Sequence, residues 1–202
     1  MCFDDQITAN AVQHGLAIHL LPDHTYIMPV TFPSPDHDHA PCSAEVMAHA
    51  EALCHKRKQR LTPMRRQVLS ALAGSHRPIG AYEIMDLVAA EGTRPAPITV
   101  YRALDFLIEQ GLVHRIESRN AFLACATRHA NDALVAFLIC EHCGAVGEVP
   151  AGAVMHAISQ AAKHLGFTPK MPVIEVTGLC AHCQSAGQYA RASSPSRHGE
   201  HR

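Results

Sequence analysis

Tryptophan is absent from this 202-residue chain, and Phe and Tyr bring the aromatic share to only 5%. The ordinary 48% hydrophobic content is therefore carried mostly by aliphatic and sulfur-bearing side chains. Lys and Arg are missing from the first 55 residues, which hold seven Asp and Glu. The opening, MCFDDQITAN, lacks the basic stretch of a secretory signal, and no long apolar segment follows it. No run approaches the roughly 20 apolar residues that a bilayer-crossing helix needs. These absences leave no candidate membrane-spanning helix and lead us to expect a cytoplasmic protein. In that reducing compartment, paired cysteines more often hold metal than form disulfides.

What the chain has is unevenly placed. The formal charge is −1, yet residues 56–119 hold 11 of the 17 Lys and Arg against six acidic residues, a local excess of five positive charges. Such an excess suits a phosphate-backbone partner. Sixteen histidines and eight cysteines point toward metal handling. At this length the chain can form one domain or two small ones.

Residues 1–46 lack trusted periodicity and are expected to be a disordered extension. Its PVTFPSPDHDHAPC stretch (29–42) has four prolines and reads as a linker. Asp36, His37, Asp38, His39 and Cys42 could form a loose metal-scavenging arm, but a solvated tail is the simpler reading. From Ser43, a candidate N-cap, a helix is expected to reach about Lys58 and end in the cations Lys56, Arg57, Lys58 and Arg60. A second begins at Thr62-Pro63, where proline's missing N–H costs nothing, and buries Val68, Leu69 and Leu72. A third, 81–90, is expected to bury Ile84, Leu87 and Val88. The fourth, 97–110, carries the apolar stripe Val100, Leu104, Leu107 and Ile108 and is followed by Gly111 as a left-handed cap. Its other face presents Thr99, Tyr101, Arg102 and Asp105.

Strand-like runs at 112–116 and 121–125 flank the turn 117–120. Helices followed by a hairpin describe a winged helix-turn-helix over 47–125, with the last helix suited to a DNA major groove. After a hinge at 126–132, an α+β dimerisation unit is expected over 133–184. Its strands lie at 134–139, 145–149 and 173–177, and its helix at 151–165 is expected to bury Val154, Ile158, Ala161, Ala162 and Leu165. The fold class is thus α+β. Residues 185–202 read as a disordered tail.

Cys140-x-x-Cys143 and Cys180-x-x-Cys183 are the most specific signal. Two such knuckles complete a tetrahedral four-thiolate site, closed and structural, of the kind that holds zinc. A redox-active pair or two disulfides are the competing readings. His114, Cys125, His129 and Glu148 form a second constellation whose mixed ligands would suit an exchangeable zinc. Taken singly, each is as well explained as a satisfied histidine or a small buried thiol.

TVYRALDFLIEQGLVHRIESRNAF (99–122), LICEHCGAVGEV (138–149) and VIEVTGLCAHC (173–183) resemble the ferric uptake regulator superfamily, and within it the zinc uptake regulator branch. The resemblance covers roughly 47–184. It implies a homodimer that binds AT-rich palindromic operator DNA when charged with metal, with two zinc ions per subunit, one structural and one regulatory. It implies structural zinc on Cys140, Cys143, Cys180 and Cys183, and a regulatory site on His114, Cys125 and Glu148. The usual linker histidine does not align without a shift, leaving His129 as the candidate. Tyr101 and Arg102 match the family's DNA contacts, Thr99 lies beside them, and Tyr82 matches an auxiliary contact. The His-His-Asp-His run of iron and peroxide sensors is replaced by Leu134-Val135-Ala136-Phe137, which favours zinc over those alternatives.

The expected function is a zinc-responsive repressor of zinc uptake and homeostasis genes, without enzymatic activity or a small-molecule substrate. A zinc enzyme with Glu148 as base is the competing class, but the Pro-Cys-x-x-Cys of zinc deaminases is absent. A zinc buffer without a DNA role would leave the basic region and the Tyr101-Arg102 helix unexplained.

Overall fold

The computed structural model describes residues 32, 38–90, 92–125, 134–170 and 172–185. The rest of the amino-terminal arm, the hinge with His129, and the tail after Ser185 lie outside the described residues.

Helix α1 (Ala40–Lys56) starts three residues before the expected Ser43 cap. Asp38 Oδ1 accepts the Ala40 N–H at 2.9 Å, Pro41 sits in the first turn, and the Ser43 N–H bonds back to the His39 carbonyl at 2.9 Å. Ser43 is therefore inside the helix. The helix also stops short of Lys58, whose φ is +54°. Its Ala50 and Cys54 face the core.

Helix α2 (Pro63–Ala73) begins after an extended Thr62 with proline in its first turn, as expected, although the Thr62 side chain makes no capping bond. Helix α3 (Ala81–Ala90) buries Ala81, Ile84, Met85 and Val88. The expected Leu87 is exposed instead. At 100° per residue Leu87 lies well off the direction shared by those four, and Met85 takes its place. Helix α4 (Pro97–Glu109) buries Val100, Ala103, Leu104, Phe106 and Leu107, while Ile108 turns outward by the same angular argument. Gly111 caps it at φ +71°.

Strands β1 (Val113–Ile116) and β2 (Ala121–Ala124) pair antiparallel as the wing, with His114 opposite Leu123 and Ile116 opposite Ala121. A short 3-10 turn, Glu117–Arg119, joins them and ends on left-handed Asn120. The wing is stitched to the helices through reciprocal backbone bonds between Ile79 and Phe122. These elements share one core, in which Leu69, Leu72, Ile84, Leu104 and Leu107 have no measurable exposure above 1%.

A second sheet follows, in the order β4-β3-β5. Strands β3 (Val135–Cys140) and β4 (Val146–Pro150) are antiparallel, and β5 (Glu175–Gly178) lies parallel on the other side of β3. Helix α5 (Gly152–His164) makes the crossover, and a short α6 (Ala181–Ser185), not foreseen from the sequence, closes the second knuckle. The two faces of the sheet do different work. Ala136 packs with Ala151 and Met155 beneath α5. Phe137, Ile139 and Val146 pack against Ile116 and Leu123 of the wing. That second cluster is an apolar joint between the two halves.

Helix α5 departs most from expectation. Only Met155 and Ala162 are buried; Val154, Ile158, Ala161 and Leu165 are exposed, Leu165 by 85%. The stripe has the right period, but nothing among the described residues covers that side of it.

Candidate metal centres and nucleic-acid face

The turn between β3 and β4 and the start of α6 bring Cys140, Cys143, Cys180 and Cys183 together, one sulfur from each within 4.8 Å of every other. All four are free thiols, so the disulfide alternative is not the one the chain adopts. The Cys143 and Cys180 sulfurs are 3.8 Å apart. Thiolates about 2.3 Å from a shared tetrahedral zinc would be separated by about the same distance. Burial alone would push the Cys140 thiol up, but backbone N–H groups of Cys143, Cys180 and His142 bring it down to about 6. Burial and the neighbouring thiols push Cys183 up to about 12. Four such groups cannot all ionise side by side without a cation among them, and a divalent ion with sulfur affinity fits the set.

Phe32 packs on this knuckle beside Leu179. A Cβ at Gly147 on β4 would come within 3.2 Å of the Phe32 ring, so the missing side chain makes room for it. The sequence offered no signal for this contact beyond a lone aromatic in a proline-rich arm.

The second cluster sits at the edge of the apolar joint. His114 comes from β1, Cys125 from the residue directly after β2, and Glu148 from the middle of β4, again with one ligand atom each within 4.8 Å of the others. His114 Nε2 is 3.8 Å from Glu148 Oε2, and the Cys125 sulfur is 3.9 Å from the same oxygen. The first is too long for a direct hydrogen bond, yet one ion could touch all three groups. The Glu148 side chain is only 3% exposed. Burying an anionic carboxylate beside a thiol is costly, and a bound divalent cation would offset that cost. The Phe137 ring, 5.1 Å from the His114 ring, holds the imidazole from the sheet side. A fourth ligand is expected from His129, outside the described residues.

Thr99, Tyr101 and Arg102 are all exposed on the first turns of α4, and Tyr82 is 68% exposed at the start of α3. The basic region divides by role. Arg57 donates to the Gln110 carbonyl and side-chain oxygen, at 2.9 and 3.0 Å, and ties α1 to the end of α4. Arg65 lies 3.3 Å over the Phe106 ring, while Arg66 pairs with Glu51 and Arg94 with Asp86. Arg57 and Arg65 serve the fold, whereas Arg66 and Arg94, about half exposed in their surface pairs, stay within reach of a phosphate backbone.

Residues 56–177 match the profile described as the ferric uptake regulator family. The chain belongs to that family. Membership sets it among transcriptional regulators and not enzymes. The chain is 42% identical over 139 residues to the zinc uptake regulation protein of Escherichia coli strain K12, a match covering 69% of this chain and 81% of that relative. A zinc uptake regulator solved with zinc and DNA superimposes with a TM-score of 0.67 at 40% identity, covering 72% of this chain and 97% of that one. The structure of holo XcZur gives 0.62 at 44% identity, over 71% and 99%. Among the described residues, no helix is long and apolar enough to cross a membrane.

Proposed function

We infer that this member of the family is a cytoplasmic, zinc-responsive repressor that binds AT-rich palindromic operators as a homodimer and controls zinc uptake and homeostasis genes. The observation that carries the reading is the placement of His114, Cys125 and Glu148 across the joint, two on the wing and one on the sheet. The names of the 42% identical relative and of the neighbour solved with zinc and DNA support the same assignment. Residues 47–125 form the DNA-reading unit, 126–132 the hinge and 133–184 the dimerisation unit. Each subunit holds two zinc ions. Cys140, Cys143, Cys180 and Cys183 hold the structural one; His114, Cys125, Glu148 and His129 hold the regulatory one.

Zinc at the second cluster supplies the positive charge that makes the buried Glu148 favourable there. His114 and Cys125 can approach Glu148 only when the wing lies on the sheet, so those side chains convert metal occupancy into one interdomain angle. A ligand shifts a conformational equilibrium only by its differential affinity for the two states, and this arrangement supplies the difference. In a dimer, that angle sets the spacing of two α4 helices, which must match two half-sites on one DNA face. Tyr101 and Arg102 then meet base edges, where a guanidinium can donate two bonds to guanine. Thr99 and Tyr82 border that contact. The exposed Val154, Ile158 and Val176, with the open edge of β5, form the apolar surface for the partner subunit.

The test is fluorescence anisotropy of the full chain on AT-rich palindromes and scrambled duplexes, with and without zinc. Zinc-dependent preference for the palindrome is expected; equal binding to both, or none in either condition, would defeat the reading.

A further inference from the structure

One row of the second sheet reaches the wing at two points. Phe137 is the register partner of Glu148 on β4 and of Glu175 on β5, so all three side chains stand on the same face. Glu148 meets His114 near the start of β1. Glu175 meets the other end. Its Oε1 accepts the Glu117 N–H at 2.7 Å, and its Oε2 accepts the Ser118 N–H at 3.1 Å. These are the first two N–H groups of the 3-10 turn, which have no partner within such a turn. Between the two carboxylates, Ile116 and Leu123 pack on Phe137 and Ile139.

We propose that Glu175 is a positioning residue, a metal-independent latch that clamps the wing turn to the dimerisation sheet and fixes the wing for DNA. The idea rests on the regulatory reading above and adds a second fixed point to it. One contact lets a hairpin swivel about that contact; two contacts at opposite ends of β1 set its direction. The turn that Glu175 grips also organises exposed cations. Arg115 pairs with Glu117 at 3.2 Å and donates to Asn120 Oδ1 at 3.2 Å, and Arg119 is the turn's last residue. Holding the turn therefore holds Arg115 and Arg119, the wing's two cations. Because β5 is the outer strand of the sheet, the latch also ties each wing to the strand nearest the proposed subunit interface. Both oxygens are used, so a carboxylate is required. An amide could accept one N–H but would set its own NH2 against the other.

The test uses the full-length dimeric protein with Glu175→Gln and, from the other side, Glu117→Pro. Proline at 117 deletes one donor, and the extended Ile116 (φ −95°, ψ 102°) is a conformation that tolerates a following proline. Three quantities are read: amide hydrogen exchange at Ser118 and, where it remains, Glu117; zinc content; and operator affinity at saturating zinc. Each variant should keep both zinc ions and the dimer, exchange faster at the turn, and lose about tenfold in operator affinity, the scale of two charge-assisted hydrogen bonds partly open to water. The double variant should lose no more than Glu117→Pro alone, which also gives up the Glu117 pair with Arg115. Unchanged exchange at the turn, or operator affinity within twofold of the parent, overturns the latch. Additive losses overturn it too, since they would mean the two residues act separately. If the parent protein shows no zinc-dependent operator binding while exchange still rises in the variants, the regulatory reading fails and the structural contact stands.

Discussion

At the scale of single residues, the two metal clusters differ in what their loss should do. Cys140 is fully enclosed by β3, the knuckle turn and α6, and its sulfur accepts the Cys180 N–H at 3.4 Å. In such a site metal-binding energy is also folding energy. Cys140→Ser should therefore lose structural zinc, dimer and cooperative unfolding together, as read by metal analysis, sedimentation and thermal melting. Cys125 sits only partly buried at the wing's edge. Cys125→Ser should melt within a few degrees of the parent and keep about one zinc per subunit, because a hydroxyl replaces a soft thiolate without opening a void. It should lose the zinc-dependent gain in operator affinity. A Cys125→Ser protein that unfolds would make Cys125 a core residue, and one that responds normally to zinc would remove it from the sensor. The cysteine knuckles were readable from spacing alone, since two matched pairs leave few other arrangements. Glu175 was not. Its partners are 57 and 58 residues away along the chain, and a carboxylate aimed at backbone N–H groups leaves no side-chain signature.

Among the elements, α4 was the most legible, because proline at its start, glycine after its end and a regular apolar stripe all agree. α1 was misread at its start because Ser43 is as good a local cap as the Asp38–Ala40 contact that replaces it. α5 was misread for another reason. Its pattern marks a buried face, and pattern does not say whether the cover comes from the same chain. Ile158→Asp should weaken self-association by about 2 kcal/mol or more, read by sedimentation, with helix content unchanged. Unaltered association would free the α5 face from the dimer. The amino-terminal residues 1–46, expected to be a disordered extension, also reach further than their composition suggested: 40–46 lie in α1. Phe32 covers the knuckle, and a chain beginning at Met47 would lack the first seven residues of α1, with Val46 among those packed on the core. Phe32→Ala should speed zinc extraction by a chelator roughly fivefold, from about 1 kcal/mol for half-burying a phenyl ring. An unchanged rate would make the contact incidental.

In the whole molecule, the two halves meet at one joint. An apolar centre of Ile116, Leu123, Phe137, Ile139 and Val146 is flanked by the candidate metal cluster at one end of β1 and by the Glu175 carboxylate at the other. The His76 carbonyl adds a further tie by accepting the Val146 N–H at 3.2 Å. On the proposed reading zinc adds one tie to a joint that apolar packing and backbone bonds also hold, so coupling of moderate size is expected, about 1–3 kcal/mol. Linkage makes the coupling reciprocal: whatever factor zinc adds to operator affinity, operator must add to zinc affinity at the same site. The most direct measurement is a competition titration of the regulatory zinc against a calibrated chelator, on the full-length dimer with the structural site already filled, with and without saturating palindromic operator. Operator is expected to tighten this zinc by about 5- to 150-fold, by the same factor that zinc tightens operator, with a scrambled duplex having much less effect. Identical zinc affinity with and without operator would contradict it, for then zinc and DNA would bind this protein without either one sensing the other.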